Sequence, residues 1–366
     1  MEKIKIIISG GGTGGHVFPA ISIANALKKK IENIEILFVG ALGKIEMIKV
    51  PDAGYNIIGL PIAGFQRKIT FKNIAFFWKL LVSLQKSRKI IKDFQPDVAV
   101  GVGGFASGPI LQTAAKKGIP CLIQEQNSYP GITNKILASK VQKICVAYEG
   151  MERYFPKEKI IMTGNPVRQD LENIFTKKEE GLKHFHLQGN KKILLVVGGS
   201  LGARTINQSI LKHLDFITEN KIQVIWQTGK TYYDTAVAAV EKLGNPDIKV
   251  FQFIQKMDFA FAVADLVISR AGASTISELC LVKKPSILVP SPNVAEDHQT
   301  KNAMALIKNN AALMIEDKES VEKLVPEAIA LLKDNFRLNA YTENISKMAF
   351  KNSADVIADE IIKMIK

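Results

Sequence analysis

The sequence predicts an α/β protein of two similar halves, each a parallel sheet with helices on both faces. Three observations carry this expectation. Short apolar runs alternate with helical stretches in both halves. The first run of each half ends in a glycine cluster. A glycine–proline break, Thr163-Gly164-Asn165-Pro166, falls where the charge balance changes. A length of 366 residues suits two domains. A hydrophobic share of 47% and a charged share of 23% fit a globular enzyme and exclude disordered or fibrous chains.

Taken in order, residues 3–9 are an apolar run ending in glycines, the pattern of a buried strand. Residues 16–30 read as a helix with Pro19 in its first turn. Residues 35–40, 97–101 and 119–124 read as further strands. The second half repeats the theme with a strand at 192–197, the turn Gly198-Gly199-Ser200-Leu201-Gly202 and a helix from about Ala203. Strands are expected at 223–227, 248–253, 265–269 and 286–289, with a polar surface excursion at 177–190. Residues 341–366 read as one last amphipathic helix.

The glycine turns carry the chemistry. Gly10-Gly11-Gly12-Thr13-Gly14-Gly15 satisfies G-x-G-x-x-G, a weak match because five of six positions are glycine. The dinucleotide fingerprint also wants an acid at the end of the second strand, and this strand ends in Gly40-Ala41. An NAD(P)-dependent oxidoreductase is therefore disfavoured, and a Walker loop is excluded because no G-K-[ST] follows. The physical content remains: close backbone approach to a ligand, and free N–H groups at a helix start for an anion. His16 stands at that start and is a candidate base, although a lone histidine is more often structural. In the second half, Gly198-Gly199-Ser200 and Arg270-Ala271-Gly272-Ala273-Ser274-Thr275-Ile276-Ser277-Glu278 are two strand-to-helix turns opening on one sheet edge. Such a pair suits a pyrophosphate. Glu278, about one turn into its helix, suits ribose hydroxyls, and equally suits plain dipole complementarity. No Asp-x-Asp occurs, so a metal held that way is not implied, and divalent stimulation stays open.

The net charge of +14 is unevenly placed. Residues 1–165 hold 23 basic against 11 acidic side chains, or +12, and the remainder is +2. No acid occurs between Asp52 and Asp93, an interval with eight cations, among them Lys68, Lys72, Lys79 and Lys89. Read as a helix, Ile74, Phe77/Trp78, Leu81 and Leu84 share one face, which suits a core helix with a lysine-rich solvated side. The sharper reading is a membrane-surface contact, with Phe76 and Trp78 dipping in and the lysines meeting anionic lipid. Nucleic acid is set aside because no recognition motif accompanies the charge.

Cys121, Cys145 and Cys280 lie far apart without CxxC or histidine pairing, which fits a reducing cytoplasm rather than a disulfide or zinc framework. The charged start leaves no room for a signal peptide, and no apolar stretch approaches the ~20 residues of a membrane span.

Seven segments in order resemble one family. Gly11-Gly12-Thr13-Gly14-Gly15-His16-Val17-Phe18-Pro19 and Gly101-Val102-Gly103-Gly104-Phe105-Ala106-Ser107-Gly108-Pro109 are similar to its two first-half loops. Glu125-Gln126-Asn127, Gly164-Asn165-Pro166-Val167-Arg168, Gly198 to Ala203, Ala273 to Glu278 and His298-Gln299-Thr300-Lys301-Asn302-Ala303 follow. The family is MurG, the bacterial transferases that join N-acetylglucosamine (GlcNAc) to lipid I in peptidoglycan synthesis. The chain departs from it at Phe105, usually Tyr, and at Gln124, usually His.

The resemblance implies a GT-B fold, two Rossmann-like domains facing an interdomain cleft. It implies an acceptor and membrane-facing domain over 1–164, a donor domain over 165–340, and a helix over 341–366 packing back on the first. It implies an inverting transfer of GlcNAc from UDP-GlcNAc to the muramyl 4-hydroxyl of lipid I. Lipid I is the undecaprenyl-diphosphate-linked muramyl-pentapeptide, here met at the cytoplasmic face of the plasma membrane. A sugar-nucleotide epimerase on the same fold is the nearest rival. Carried over by residue, Ser200, Ala273, Ser274, Thr275, Ile276 and Ser277 hold the diphosphate and Glu278 the ribose. Ile254 and Arg168 lie near the uridine, and Gln299 and Asn302 face the sugar. Thr13, Gly14, Gly15 and Asn127 line the donor site from the other domain, and Gly103, Gly104, Ser107 and Gly108 meet the acceptor. His16 is the first candidate base and Glu125 the second. No cofactor is implied; partners are UDP-GlcNAc, lipid I, an anionic membrane, and cell-wall synthesis and division proteins.

Overall fold

The computed structural model describes residues 3–62, 71–168, 171, 174–199 and 202–365, without the side chains of residues 71–77 and 295. The chain forms two compact units, one running up to Val167 and resuming from Asn352, the other spanning Arg168–Lys351.

The first unit alternates strand and helix: β1 (Ile4–Ser9), α1 (Gly14–Lys30), β2 (Ile34–Ala41), α2 (Glu46–Asp52), β3 (Asn56–Leu60), α3 (Phe71–Phe94) and β4 (Val98–Gly101). It continues with α4 (Ser107–Lys116), β5 (Cys121–Glu125), α5 (Ile132–Leu137), β6 (Lys143–Val146) and β7 (Ile160–Met162). The sheet order is β3-β2-β1-β4-β5-β6-β7, every pair parallel. The strands are short β-branched runs because both faces are covered, which removes the polar alternation of a half-exposed sheet. Ile6 and Ile8 face one core with Val17, Ile23 and Leu27 of α1, while Ile7 faces the other with Ile110 and Leu111 of α4.

The second unit carries α6 (Lys178–Phe185), β8 (Ile193–Val197), α7 (Arg204–Lys212), α8 (Leu214–Glu219), β9 (Gln223–Gln227), α9 (Tyr233–Leu243) and β10 (Ile248–Phe251). It then runs through α10 (Met257–Val263), β11 (Leu266–Ser269), α11 (Ala273–Leu281), β12 (Ser286–Leu288), α12 (His298–Ile307) and β13 (Leu313–Met314). The helices α13 (Ser320–Lys333) and α14 (Asn335–Ser346) complete it. Its sheet, β10-β9-β8-β11-β12-β13, is again parallel, with Trp226 and Val196 at the centre of one core. In each sheet the chain order reverses beside the first strand, at β1/β4 and at β8/β11. Open α/β sheets bind ligands outside the carboxyl ends of such strand pairs.

Four readings from the sequence need correction. The last helix is two: α14 stays in the second unit, and α15 (Ser353–Ile362) packs on α1 in the first. The break lies at residues 347–352, where Asn352 takes a left-handed φ of 57° that a helix cannot continue through. Residues 177–190 are not a free excursion, because they hold α6, which buries Phe185 and packs on α10. α1 begins two residues early, at Gly14, so Pro19 sits inside it and returns no N–H to the Gly15 carbonyl. In α3 the buried stripe is Ser83, Ser87, Ile90 and Ile91, with Leu80 and Phe94 partly buried, while Trp78 is 71% and Leu81 56% exposed. α3 packs on α4 with both serines buried, and Ser87 Oγ donates to the Ser83 carbonyl within the helix at 2.7 Å.

Candidate active site

Both glycine turns of the first unit stand at the β1/β4 edge. α1 opens behind Thr13 with extended φ/ψ and no side-chain cap; the His16 and Val17 N–H groups donate to the Thr13 carbonyl at 3.2 Å each, which leaves those of Gly14 and Gly15 without a partner within the helix. Thr13 Oγ1 lies 3.2 Å from His16 Nδ1. The edge of the His16 ring lies against Gly103, where a Cβ would come within 2.7 Å of Cδ2 and 2.8 Å of Nε2. A Cβ on Gly104 would sit 2.3 Å from the Gly11 carbonyl oxygen. Gly103 and Gly104, both at φ 87°, thus let the two loops touch backbone to backbone. Ser107 Oγ donates to the Gly104 carbonyl at 2.9 Å, and Gly108 lies in the first turn of α4.

Glu125 ends β5 and is 1% exposed. Its Oε1 accepts from the Asn127 N–H (3.0 Å) and Asn127 Nδ2 (3.1 Å), its Oε2 from the Gly131 N–H (3.1 Å) and Asn134 Nδ2 (2.8 Å). Burial pushes this carboxyl above the ordinary range, against the pull of four donors. The carboxylate is the hub of the 125–131 turn, and it would have to release a donor before taking a substrate proton.

In the second unit α11 starts behind Gly272 without a side-chain cap and without an acid in its first turn, leaving the N–H groups of Ala273, Ser274 and Thr275 for an anion. Ser274 Oγ is buried without a hydrogen-bond partner among the described residues. Ser277 Oγ donates to the Ala273 carbonyl at 3.1 Å, and Ile276 packs into the core. Glu278, one turn on, accepts from Arg168 Nε at 3.1 Å. The Ile254 N–H is taken by Gln227 Oε1 at 2.8 Å. Gln299 Oε1 accepts from the Ser291 N–H at 2.8 Å, and Asn302 is buried on α12, which packs on α11. Ser200 lies outside the described residues. No group of three or more His, Cys, Asp or Glu among the described residues could hold a metal ion.

The comparisons turn these two turns into a family assignment. Residues 6–146 match the glycosyltransferase family 28 N-terminal domain and residues 193–360 the C-terminal domain of that family. The chain is 58% identical over 365 residues to a Parabacteroides distasonis protein, covering 100% of this chain and 99% of that one. That relative is a UDP-N-acetylglucosamine–N-acetylmuramyl-(pentapeptide) pyrophosphoryl-undecaprenol N-acetylglucosamine transferase. A Bacteroides thetaiotaomicron transferase of the same description is also 58% identical, at 100% and 99% coverage. The chain belongs to the MurG family. Acinetobacter baumannii MurG has the same architecture, with a TM-score of 0.79 at 26% identity over 99% of this chain and all of that one. The UDP-GlcNAc 2-epimerase of Neisseria meningitidis shares the fold alone, with a TM-score of 0.68 at 13% identity over 99% and 100% of the two chains. The GT-B architecture of two Rossmann-like units is thus that of the MurG family.

Three groups near these turns were missed by sequence reading. Arg270, quoted within the turn but given no role, donates to the Val289 and Pro290 carbonyls (3.1 and 3.3 Å) and pairs with Asp317 at 2.5 Å, bracing the edge. Gln126 and Asn165 interlock: Asn165 Nδ2 donates to the Gln126 carbonyl, and Gln124 Nε2 to Asn165 Oδ1, both at 2.9 Å. This amide ladder occupies the place where the family usually carries His beside Glu125. Glu46, fully buried beside the end of β2, accepts from the Gly12 and Ala41 N–H groups. Glu46 is thus turned inward and offers no carboxylate to a ribose, and β2 itself ends in Gly40-Ala41 without an acid.

Proposed function

We propose that the protein transfers GlcNAc from UDP-GlcNAc to the muramyl 4-hydroxyl of undecaprenyl-diphosphate-linked muramyl-pentapeptide, converting lipid I to lipid II with inversion at the sugar. The observation that carries this reading is the full-length 58% identity to transferases of that description. In this reading the second unit binds the donor. The uncapped first turn of α11 and Ser274 face the diphosphate, whose charge grows as C1–O breaks, and preorganised donors stabilise that charge without rearranging. Glu278 accepts the ribose hydroxyls. The first unit receives the acceptor along its two touching glycine loops, and His16 takes the hydroxyl proton as C1 is attacked. The transfer test is direct. Label from UDP-GlcNAc should enter a short-chain lipid I analogue with one UDP released per sugar; UDP-N-acetylmannosamine formed without acceptor would make the protein an epimerase.

No described helix is long and apolar enough to cross a membrane. Our reading places the protein peripherally on the cytoplasmic face, where lipid I would be presented, with division and wall-synthesis proteins as further partners. Support comes from α3. Trp78 and Leu81 are exposed, Lys79 and Lys89 are exposed, and the helix's later part borders a cavity of about 560 Å³ whose lining holds five cations, Arg88, Lys89, Lys92, Lys116 and Lys117, and one acid, Asp93. Lys68 lies outside the described residues, and the side chains of Lys72 and Phe76 are likewise not described. Changing Lys68, Lys72, Lys79 and Lys89 together to Glu should weaken binding to anionic vesicles at low salt by tenfold or more, at about 1 kcal/mol per lysine near such a surface. Turnover of a water-soluble acceptor should survive. Vesicle binding equal to wild type at low salt would return α3 to an ordinary solvated helix.

A further inference from the structure

We infer that Glu46 is a positioning residue of the transfer reaction, a buried carboxylate that fixes the loop carrying Thr13 and His16. The inference rests on the proposed function for the assignment of His16 as base. Glu46 is fully buried at the start of α2. Its Oε2 accepts from the Gly12 N–H at 2.8 Å and its Oε1 from the Ala41 N–H at 3.0 Å. The donors come from two chain segments, the β1–α1 loop and the end of β2. Only a group with two acceptor oxygens answers both: a glutamine would turn its NH₂ toward one of them. Bonds to an ionised acceptor are also about twice as strong as neutral ones.

The packing leaves the carboxylate little freedom. A Cβ at Gly11 would lie 2.1 Å from Oε1, and one at Gly40 would lie 2.6 Å from the Glu46 Cγ. Above Gly11 lies Gly104, and beside Gly104 lies Gly103 against the His16 ring. Carboxylate, first loop, second loop and imidazole thus form one contiguous stack within the first unit. The Gly12 amide points down into this stack and is withheld from substrate. The loop therefore meets its ligand with a carboxylate beneath it. That arrangement suits a neutral sugar hydroxyl over Gly12 and disfavours a phosphate there.

Glu46→Gln in the full chain tests this. We expect kcat to fall between about tenfold and 10²-fold, the scale of a misplaced catalytic group. Donor affinity should fall by less than kcat: the groups assigned to the diphosphate, ribose and uridine stand in the other unit, and only Thr13, Gly14 and Gly15 of the donor site lie on the clamped loop. Amide exchange at Gly12 and Ala41 should accelerate. Gly11→Ala, which keeps the carboxylate but displaces it, should give the same kinetic defect, and the double variant should be no worse than the poorer single one. Glutamine fills the same volume, so a role in packing alone predicts wild-type kcat for Glu46→Gln; that result overturns the inference. If Glu46→Gln does not fold, wild-type kcat in folded Gly11→Ala overturns it instead. Absence of transfer by the wild-type protein would sink the proposed reaction, while the exchange of the Gly12 amide reads the clamp whatever the reaction is.

Discussion

His16→Ala should lower kcat by roughly 10²- to 10⁴-fold, the range for a lost general base, with donor affinity unchanged. The side chain opens α1, keeps Thr13 Oγ1 at 3.2 Å from Nδ1, and lies against the second glycine loop through its Cδ2–Nε2 edge. Those contacts also describe a brace. The two roles separate in the amide variants, because Asn or Gln can replace a hydrogen bond but cannot accept and pass on a proton. Near-wild-type kcat in His16→Gln would make the residue a brace. Glu125 would then need to free itself from four donors to serve in its place.

Glu278→Ala should raise the KM for UDP-GlcNAc by roughly 10- to 150-fold with little change in the acceptor KM. A hydrogen bond to a charged acceptor contributes about 1.5–3 kcal/mol. The carboxylate's partner Arg168 has a side chain 43% exposed, so loss of the carboxylate leaves that charge to solvent. A donor KM equal to wild type in folded protein would reduce the Arg168–Glu278 pair to an ordinary surface ion pair.

Much of this site is legible in the sequence, and the limits have physical causes. β1, β2, β8 and β9 announce themselves through uninterrupted runs of three to five apolar residues, since a doubly covered parallel strand is apolar through its buried part. β3, β6, β7 and β13, of five, four, three and two residues, are not legible as strands, whereas β4 and β12 of four and three residues are, so length alone does not separate them. β7 and β13 are also edge strands with one neighbour to satisfy. The outward turn of Trp78 was hidden because the buried stripe of α3 includes Ser83 and Ser87, and serine reads as surface. Glu46 was hidden for a different reason. It stands 34 residues from Gly12, and nothing in its local sequence distinguishes an inward carboxylate from a solvated one.

In the proposed reaction this chain carries out an inverting transfer between a nucleotide sugar and a lipid-linked muramyl acceptor. Single-turnover reaction with UDP-GlcNAc and the short-chain lipid I analogue, with the product's new linkage read by NMR, tests it most directly. The account predicts a β-linked GlcNAc on the muramyl 4-oxygen, formed with release of UDP. An α linkage, attachment at another oxygen, or conversion of the donor alone would contradict it.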